Sequence, residues 1–394
     1  MDKKNKNPAI RFKGFTEDWV HQELGDFLTE RKEMQKISGD APILAFASGQ
    51  GVINRSERRS NNRDHLTLDQ ENKIYKLTEF NDIVYNPSNL KYGAIDRNKH
   101  GRGVISPIYV TFTTEEEPSF MELIVKSEKF KLRALQYEEG TVVKRQSVKP
   151  ENLLSLKVDI SSSLDEQKQI GEYFQNLDVL IGLQQKKYDK LVVLKKAMLV
   201  KMFPQKGSMV PKIRFKAFTA DWKEKSLGDI SFISKGEQLN KKELSLTGTY
   251  PVINGGITPS GYTNQWNTIE NTITISEGGN SCGYVNFIDK KFWSGGHCYF
   301  LGKIVDGVLP LFLYQLLKSN QRKIMELRVG SGLPNIQKDP INNFAILIPT
   351  PKEQQKIGEY FKNLDNQIAL HKTQLEKLNN IKKACFTKML VAQD

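Results

Sequence analysis

A chain of 394 residues leaves room for two or three compact domains and excludes a single small one. Its 58 lysines and arginines against 45 aspartates and glutamates give a formal charge of +13 and a pI near 9.3, which favours a polyanionic partner, nucleic acid ahead of membrane. No apolar run reaches the roughly eighteen residues of a membrane span, and the first residues lack a signal-peptide core. With three cysteines and no C-x-x-C pair, a cytoplasmic protein with reduced thiols is expected.

In chain order, the first informative element is Pro8-Ala9-Ile10-Arg11-Phe12-Lys13-Gly14-Phe15-Thr16-Glu17-Asp18-Trp19. It returns 203 residues later as Pro211-Lys212-Ile213-Arg214-Phe215-Lys216-Ala217-Phe218-Thr219-Ala220-Asp221-Trp222, alike at nine of twelve positions. Both copies read as an opening segment that packs on its own domain. An insert follows each. The first carries strand-like runs at 82–85 and 103–112, the second at 272–276 and 298–301, bounded by turn residues. The inserts differ in sequence and read as mixed α+β.

After each insert the likeness returns. Glu166 to Asp178 recurs 187 residues later as Glu353 to Asp365, and each copy opens a heptad seam. Ile170, Phe174, Leu177, Ile181, Gln184, Tyr188 and Leu191 are spaced four and three alternately; Ile357, Phe361, Leu364, Ile368, His371, Leu375 and Leu378 repeat the spacing. Pro204 stops the first helix, whose length from Glu166 to Phe203 is about 55 Å. The spacing predicts that the two helices pair as a coiled coil, antiparallel given two equivalent copies, with Gln184 and His371 interrupting the apolar stripe; the alternative is that each stripe packs on its own domain. The chain is therefore a tandem duplication with a strict frame and two unlike inserts. Antiparallel pairing would relate the copies by a pseudo-twofold axis.

Known catalytic patterns are incomplete. Gly278-Gly279-Asn280-Ser281-Cys282-Gly283 has the glycine spacing of a phosphate loop, but Tyr284 replaces its lysine. Asn86-Pro87-Ser88-Asn89 lacks the second proline and the aromatic of an adenine methyltransferase motif, and reads as a loop. Glu71-Asn72-Lys73 is half of a metal nuclease site at most. Cys282, His297 and Cys298 lack a fourth zinc ligand, so no metal site is expected. Residues suited to DNA are more plentiful: Arg55, Arg58, Arg59, Arg63, Lys91, Tyr92, Arg97, Lys99 and Arg102 in the first insert, and Lys235, Gln238, Lys241, Lys242, Asn254, Ser276, Asn280 and Ser281 in the second. Arginine and lysine suit guanine and phosphate, asparagine and glutamine suit adenine. Charged residues flanking the seam, such as Glu172, Lys186, Lys187, Lys190, Glu359 and Glu376, suit a solvated helix or a docked partner.

Taken together, the Phe-x-x-Phe-Thr-x-Asp-Trp opening, Leu164 to Asp178, Pro351 to Asp365 and the heptads behind them resemble the specificity subunit of a type I restriction-modification system, over nearly the whole length. The resemblance implies a first target-recognition domain at 1–162, a spacer helix and linker at 163–206, a second target-recognition domain at 207–349 and a second spacer helix at 350–394. It implies a non-catalytic chain that reads a bipartite, asymmetric double-stranded DNA target, one domain per half-site. The helices would set the gap and dock two modification subunits, which bind S-adenosylmethionine, and restriction subunits, which use ATP and Mg. The alternatives from other classes are a self-contained methyltransferase or nuclease, and a coiled-coil scaffold that binds DNA without sequence preference.

Overall fold

In a computed structural model, the described residues are 7–47, 49–57, 73–140, 146–330, 332 and 334–390; Arg58, Arg59, Arg63 and Glu71-Asn72 lie outside them. The chain divides into two compact units, Met1–Leu183 with Leu375–Asp394, and Gln184–Gln374. Each long helix is thus shared: one unit holds the start of the first and the end of the second, the other unit the reverse. Among the described residues no helix is long and apolar enough to cross a membrane.

The first unit contains β1 (Val20–Glu23), β2 (Thr29–Glu30), β3 (Ile83–Tyr85), β4 (Ile95–Arg97), β5 (Val110–Thr113), α1 (Pro118–Val125) and β6 (Lys157–Ile160), ahead of the first long helix, Leu164–Lys201. One antiparallel sheet has the order β2-β5-β3-β4, and β1 pairs with β6, Val20 opposite Ile160. The run at 103–112 does not form one strand. Pro107 has no N–H to give a ladder, Tyr109 N donates to Ser106 O at 3.0 Å, and Gly103–Ile105 leaves for a separate sheet.

The second unit contains β7 (Lys223–Ser226), β8 (Ser231–Lys235), β9 (Thr272–Ser276), β10 (Val285–Ile288), β11 (Cys298–Ile304), α2 (Pro310–Ser319) and β12 (Ala345–Ile348), ahead of the second long helix, Pro351–Leu390. Its sheet order, β8-β11-β9-β10, matches the first unit strand for strand, and β7 pairs with β12, Lys223 opposite Ile348. β9 reads Thr-Ile-Thr-Ile-Ser and is buried throughout, as β-branched residues in a central strand should be. Both units are α+β.

The repeated motifs hold each unit shut. Arg11 Nε and Nη2 donate to Glu166 Oε1 and Oε2 at 2.7 and 2.8 Å; Arg214 makes the same fork to Glu353 with the same distances. Burial acts to raise the Glu166 carboxyl, yet its bonds to Arg11, Ser161 and Trp19 outweigh this and keep it below the usual carboxylate range. The next residue is Gln167 or Gln354. Each amide oxygen accepts the backbone N–H just before a short helix, from Glu117 at 3.0 Å and from Leu309 at 2.9 Å. Ile170 and Ile357 enter the two cores. Gly171 and Gly358 then let α1 and α2 lie against the long helices: a Cβ on Gly171 would overlap the Ser119 hydroxyl, and one on Gly358 would sit 3.3 Å from Leu311 Cβ.

Within each unit the long helices run antiparallel. In the first, Phe174 meets Phe386 with ring centroids 5.7 Å apart and Asp178 meets Lys382. In the second, Phe361 stacks on Phe203 at 5.8 Å and Asp365 meets Lys195. Ile170, Phe174, Leu177, Ile357, Phe361 and Leu364 are buried in the globular cores as well as against a helix, whereas Ile181, Tyr188, Leu191, Ile368, Leu375 and Leu378 are half-buried along the seam. The spacing also persists beyond Leu191 and Leu378, through Lys195, Met198 and Met202, and through Lys382, Cys385 and Met389, ending in buried methionines.

Two glycines of the first long helix should respond oppositely. Gly171→Ala is expected to cost about 1–3 kcal/mol through overpacking, partly recovered by adding Ser119→Ala. A methyl group on Gly182 would meet nothing within 4 Å, so Gly182→Ala should gain up to about 1 kcal/mol from helix propensity. Urea unfolding of the three variants measures both effects.

Candidate nucleic-acid interface

The strands of each sheet deliver candidate residues at corresponding ends. After β3 comes a 3-10 turn, Pro87–Tyr92, started by Asn86, whose side chain accepts from Ser88 N at 3.0 Å, and closed by Gly93 at φ +75°. It presents Tyr92, 67% exposed, with Lys91 Nζ 5.6 Å from its ring centroid. After the corresponding strand β9 comes another 3-10 turn, Gly279–Ser281, which presents exposed Asn280. A cation beside an aromatic face suits phosphate and base stacking, and an amide suits a base edge. Equivalent places hold different chemistry.

Some residues read as candidates are occupied inside the fold. Arg97 is buried; its Nε donates to Glu122 at 3.0 Å and its Nη1 to Asn81 at 2.7 Å. Ser276 is buried as well, its hydroxyl donating to Gly255 O. Both are engaged inside the fold, as buried polar groups require. They brace the loops beside them. Lys99 keeps an exposed stem while its amine, with Lys126, meets Glu122. Burial acts to raise the Glu122 carboxyl, but Lys126, Lys99 and Arg97 hold it well below its ordinary range. Arg102 pairs with Glu79 and lies 3.5 Å from Asp40, and Arg55 starts the turn Arg55–Glu57.

The second unit gathers its candidates more tightly. Ser281 Oγ donates to Gly255 O at 2.6 Å, joining the turn after β9 to the loop holding Asn254. Asn254 Oδ1 accepts from His297 N at 3.0 Å. Lys235 Nζ reaches Glu277 Oε1 at 2.6 Å. Gln238 is exposed, and Lys241 and Lys242 lie exposed on a 3-10 turn capped by Asn240. Three participants are not among the sequence candidates: Glu277, an acid where a polyanion partner points to cations; His297, which the sequence offers only as a metal ligand; and the apolar Ile257, 58% exposed beside Gly255 and Gly256. Apolar contact suits a thymine methyl.

The seam has one polar layer inside the second unit. Gln184 Nε2 lies 2.6 Å from His371 Nδ1 and 2.5 Å from Gln374 Oε1. Sliding one helix by a heptad would set Gln184 against Leu364 or Leu378, and His371 against Leu191 or Leu177. Each slip strands two polar groups among leucines, so the layer favours one register. Gln184→Leu should cost about 1 kcal/mol by orphaning His371, and Gln184→Leu with His371→Leu should recover most of it. A double-mutant cycle in urea checks the coupling.

Comparison with known proteins fits this construction. The type I restriction modification DNA specificity domain matches residues 219–380. A putative type I specificity subunit of Mycoplasma pneumoniae is 35% identical over 173 residues, covering 43% of this chain and 45% of the relative. One from Mycoplasma genitalium is 34% identical over 148 residues, covering 37% and 38%. The chain spans less than half the length of these curated relatives. The crystal structure of a type I restriction-modification system S subunit from M. genitalium shares the fold, with a TM-score of 0.71 at 18% identity over 98% of this chain and 100% of that one. Residues 219–380 thus match a type I restriction modification DNA specificity domain, and the same sheet order is built in the first unit around unlike loops.

Proposed function

We propose that this chain is the non-catalytic reader of a type I restriction-modification complex. Each unit reads one half of a bipartite, asymmetric double-stranded DNA target, and the paired helices set the unread gap between the halves. The observation that carries this reading is the identical internal frame, with one sheet order and one Arg–Glu fork, under different side chains at equivalent strand ends. A duplicated enzyme would need its reacting groups twice; a duplicated reader needs its frame twice and its contacts different.

Methylation and cleavage then belong to partners. Two modification subunits bring S-adenosylmethionine, and restriction subunits bring ATP and Mg. Docking on the helices is supported by apolar residues left in solvent along the first long helix, among them Val179, Leu180, Leu183 and Val193, each more than half exposed. Such a row away from a helix seam marks an interaction surface. A net charge of +13 favours association with the duplex.

Deleting 184–190 together with 371–377 removes one heptad from each helix, takes Gln184 and His371 out together, and leaves the apolar seam in phase. The rod shortens by about 10 Å, against about 3.4 Å per base pair. Mapping methylated adenines in cells that carry the partners should show a gap shorter by up to about three base pairs, with both half-sites kept. Altered half-sites around an unchanged gap would count against the ruler.

A further inference from the structure

We infer that His297 is a base-reading residue of the second unit, and that buried Glu277 is the positioning residue that aims His297 and Lys235 outward. The inference rests on the proposal that this unit reads one half-site. Lys235 ends β8, Glu277 follows β9 and His297 precedes β11. These strands are neighbours, with Lys235 opposite Tyr299 and Ser276 opposite Cys298, so all three residues arrive at one end of one sheet.

Glu277 is 6% exposed, and its two oxygens serve different partners: Oε1 meets Lys235 Nζ at 2.6 Å and Oε2 meets His297 Nδ1 at 3.2 Å. Burial acts to raise its carboxyl, but the bonds to Lys235 and His297 hold it below the ordinary range, so it stays charged beneath them. The backbone of His297 is held on both sides. Its carbonyl accepts from Glu277 N at 3.0 Å and its N–H donates to Asn254 Oδ1 at 3.0 Å. Gly255, at φ +85°, keeps the neighbouring loop this close; a Cβ there would lie 2.5 Å from His297 O.

An ionised carboxylate only accepts hydrogen bonds, so Nδ1 of His297 carries the hydrogen that faces it. The side chain is 65% exposed, and Nε2 is the edge left for a ligand. In the neutral ring Nε2 is an acceptor, which complements the exocyclic amine of adenine or cytosine in the major groove. Lys235 is 48% exposed and uses one of its three donors on Glu277, which leaves two for phosphate or guanine. A buried carboxylate is a costly staple where apolar packing would serve; here it fixes the orientation of two outward groups.

The test uses the full chain with its modification partners in cells, methylated adenines being mapped for His297→Phe, His297→Gln and Glu277→Gln. His297→Phe should lose preference roughly tenfold at one base of the second unit's half-site, with the other half-site and the gap unchanged. His297→Gln, which keeps an acceptor, should lose less, and Glu277→Gln should relax the same position. A staple without a reading role would lower the thermal midpoint of Glu277→Gln and leave the motif intact. An unchanged half-site in His297→Phe, or a change confined to the other half-site, overturns the assignment. A chimera carrying a relative's residues 223–348 separates the two levels. If it too leaves both half-sites unaltered, the half-site reading fails and takes the assignment with it; if one half-site changes while His297→Phe does not, only His297 is wrong.

Discussion

The constraint on which the rest depends is the fork between the opening arginine and the first-turn glutamate of the long helix. Arg11 and Glu166 lie 155 residues apart, Arg214 and Glu353 lie 139 apart, and each pair closes an insert at its two ends. Glu166 and Glu353 are almost fully buried, so each charge must keep its partner; a carboxylate stranded there would cost several kcal/mol. The strand pairs β1–β6 and β7–β12 run beside these closures. Everything between them can vary as long as its ends return to the same place, and that is the physical licence for two unlike inserts.

The two closures are not equally furnished. Glu166 also accepts from Trp19 Nε1 at 3.0 Å and from Ser161 Oγ at 2.5 Å, which fills its acceptor sites. In the second unit Pro349 stands where Ser161 stands in the first, its carbonyl accepting from Gln354 as that of Ser161 does from Gln167, and Trp222 Nε1 is buried without a hydrogen-bond partner among the described residues. The second closure therefore relies more on packing, with Phe203, Trp222, Phe312 and Phe361 meeting ring to ring. Duplication preserved the geometry of the joint while the balance between hydrogen bonding and aromatic packing drifted.

Legibility in the sequence followed repetition and period. The dodecamer is readable because it is duplicated and the seven seam positions per helix because burial repeats them at fixed spacing, while the antiparallel direction follows from the equivalence of the two copies rather than from that spacing. The motif Glu-Gln-x-x-Ile-Gly could be seen as repeated, but its four tasks could not: the fork, the amide bond to a helix start, the core residue and the close approach each need a partner more than forty residues away. The loops were legible only as composition. Arg97 and Ser276 carry the right groups for DNA yet face inward, because a three-residue strand such as Ile95–Arg97 gives too short a pattern to tell its two faces apart. Glu277 was invisible for the opposite reason, since an acidic residue enters a basic interface only by organising cations.

The charge arrangement in the second unit sets one buried acid, Glu277, at the strand ends that carry its candidate residues. A lysine free in solution has a mobile head, and fixing it at a DNA surface costs side-chain entropy at the moment of binding. On the proposed reading of DNA, Glu277 beneath Lys235 and His297 would meet part of that cost when the protein folds. The cations would then be in place before a duplex arrives. Specificity gains most from this, since a base contact discriminates only when the reading group cannot swing to a wrong partner. On that reading, a buried acid under exposed cations would turn a general attraction for phosphate into an ordered set of contacts without disturbing the frame.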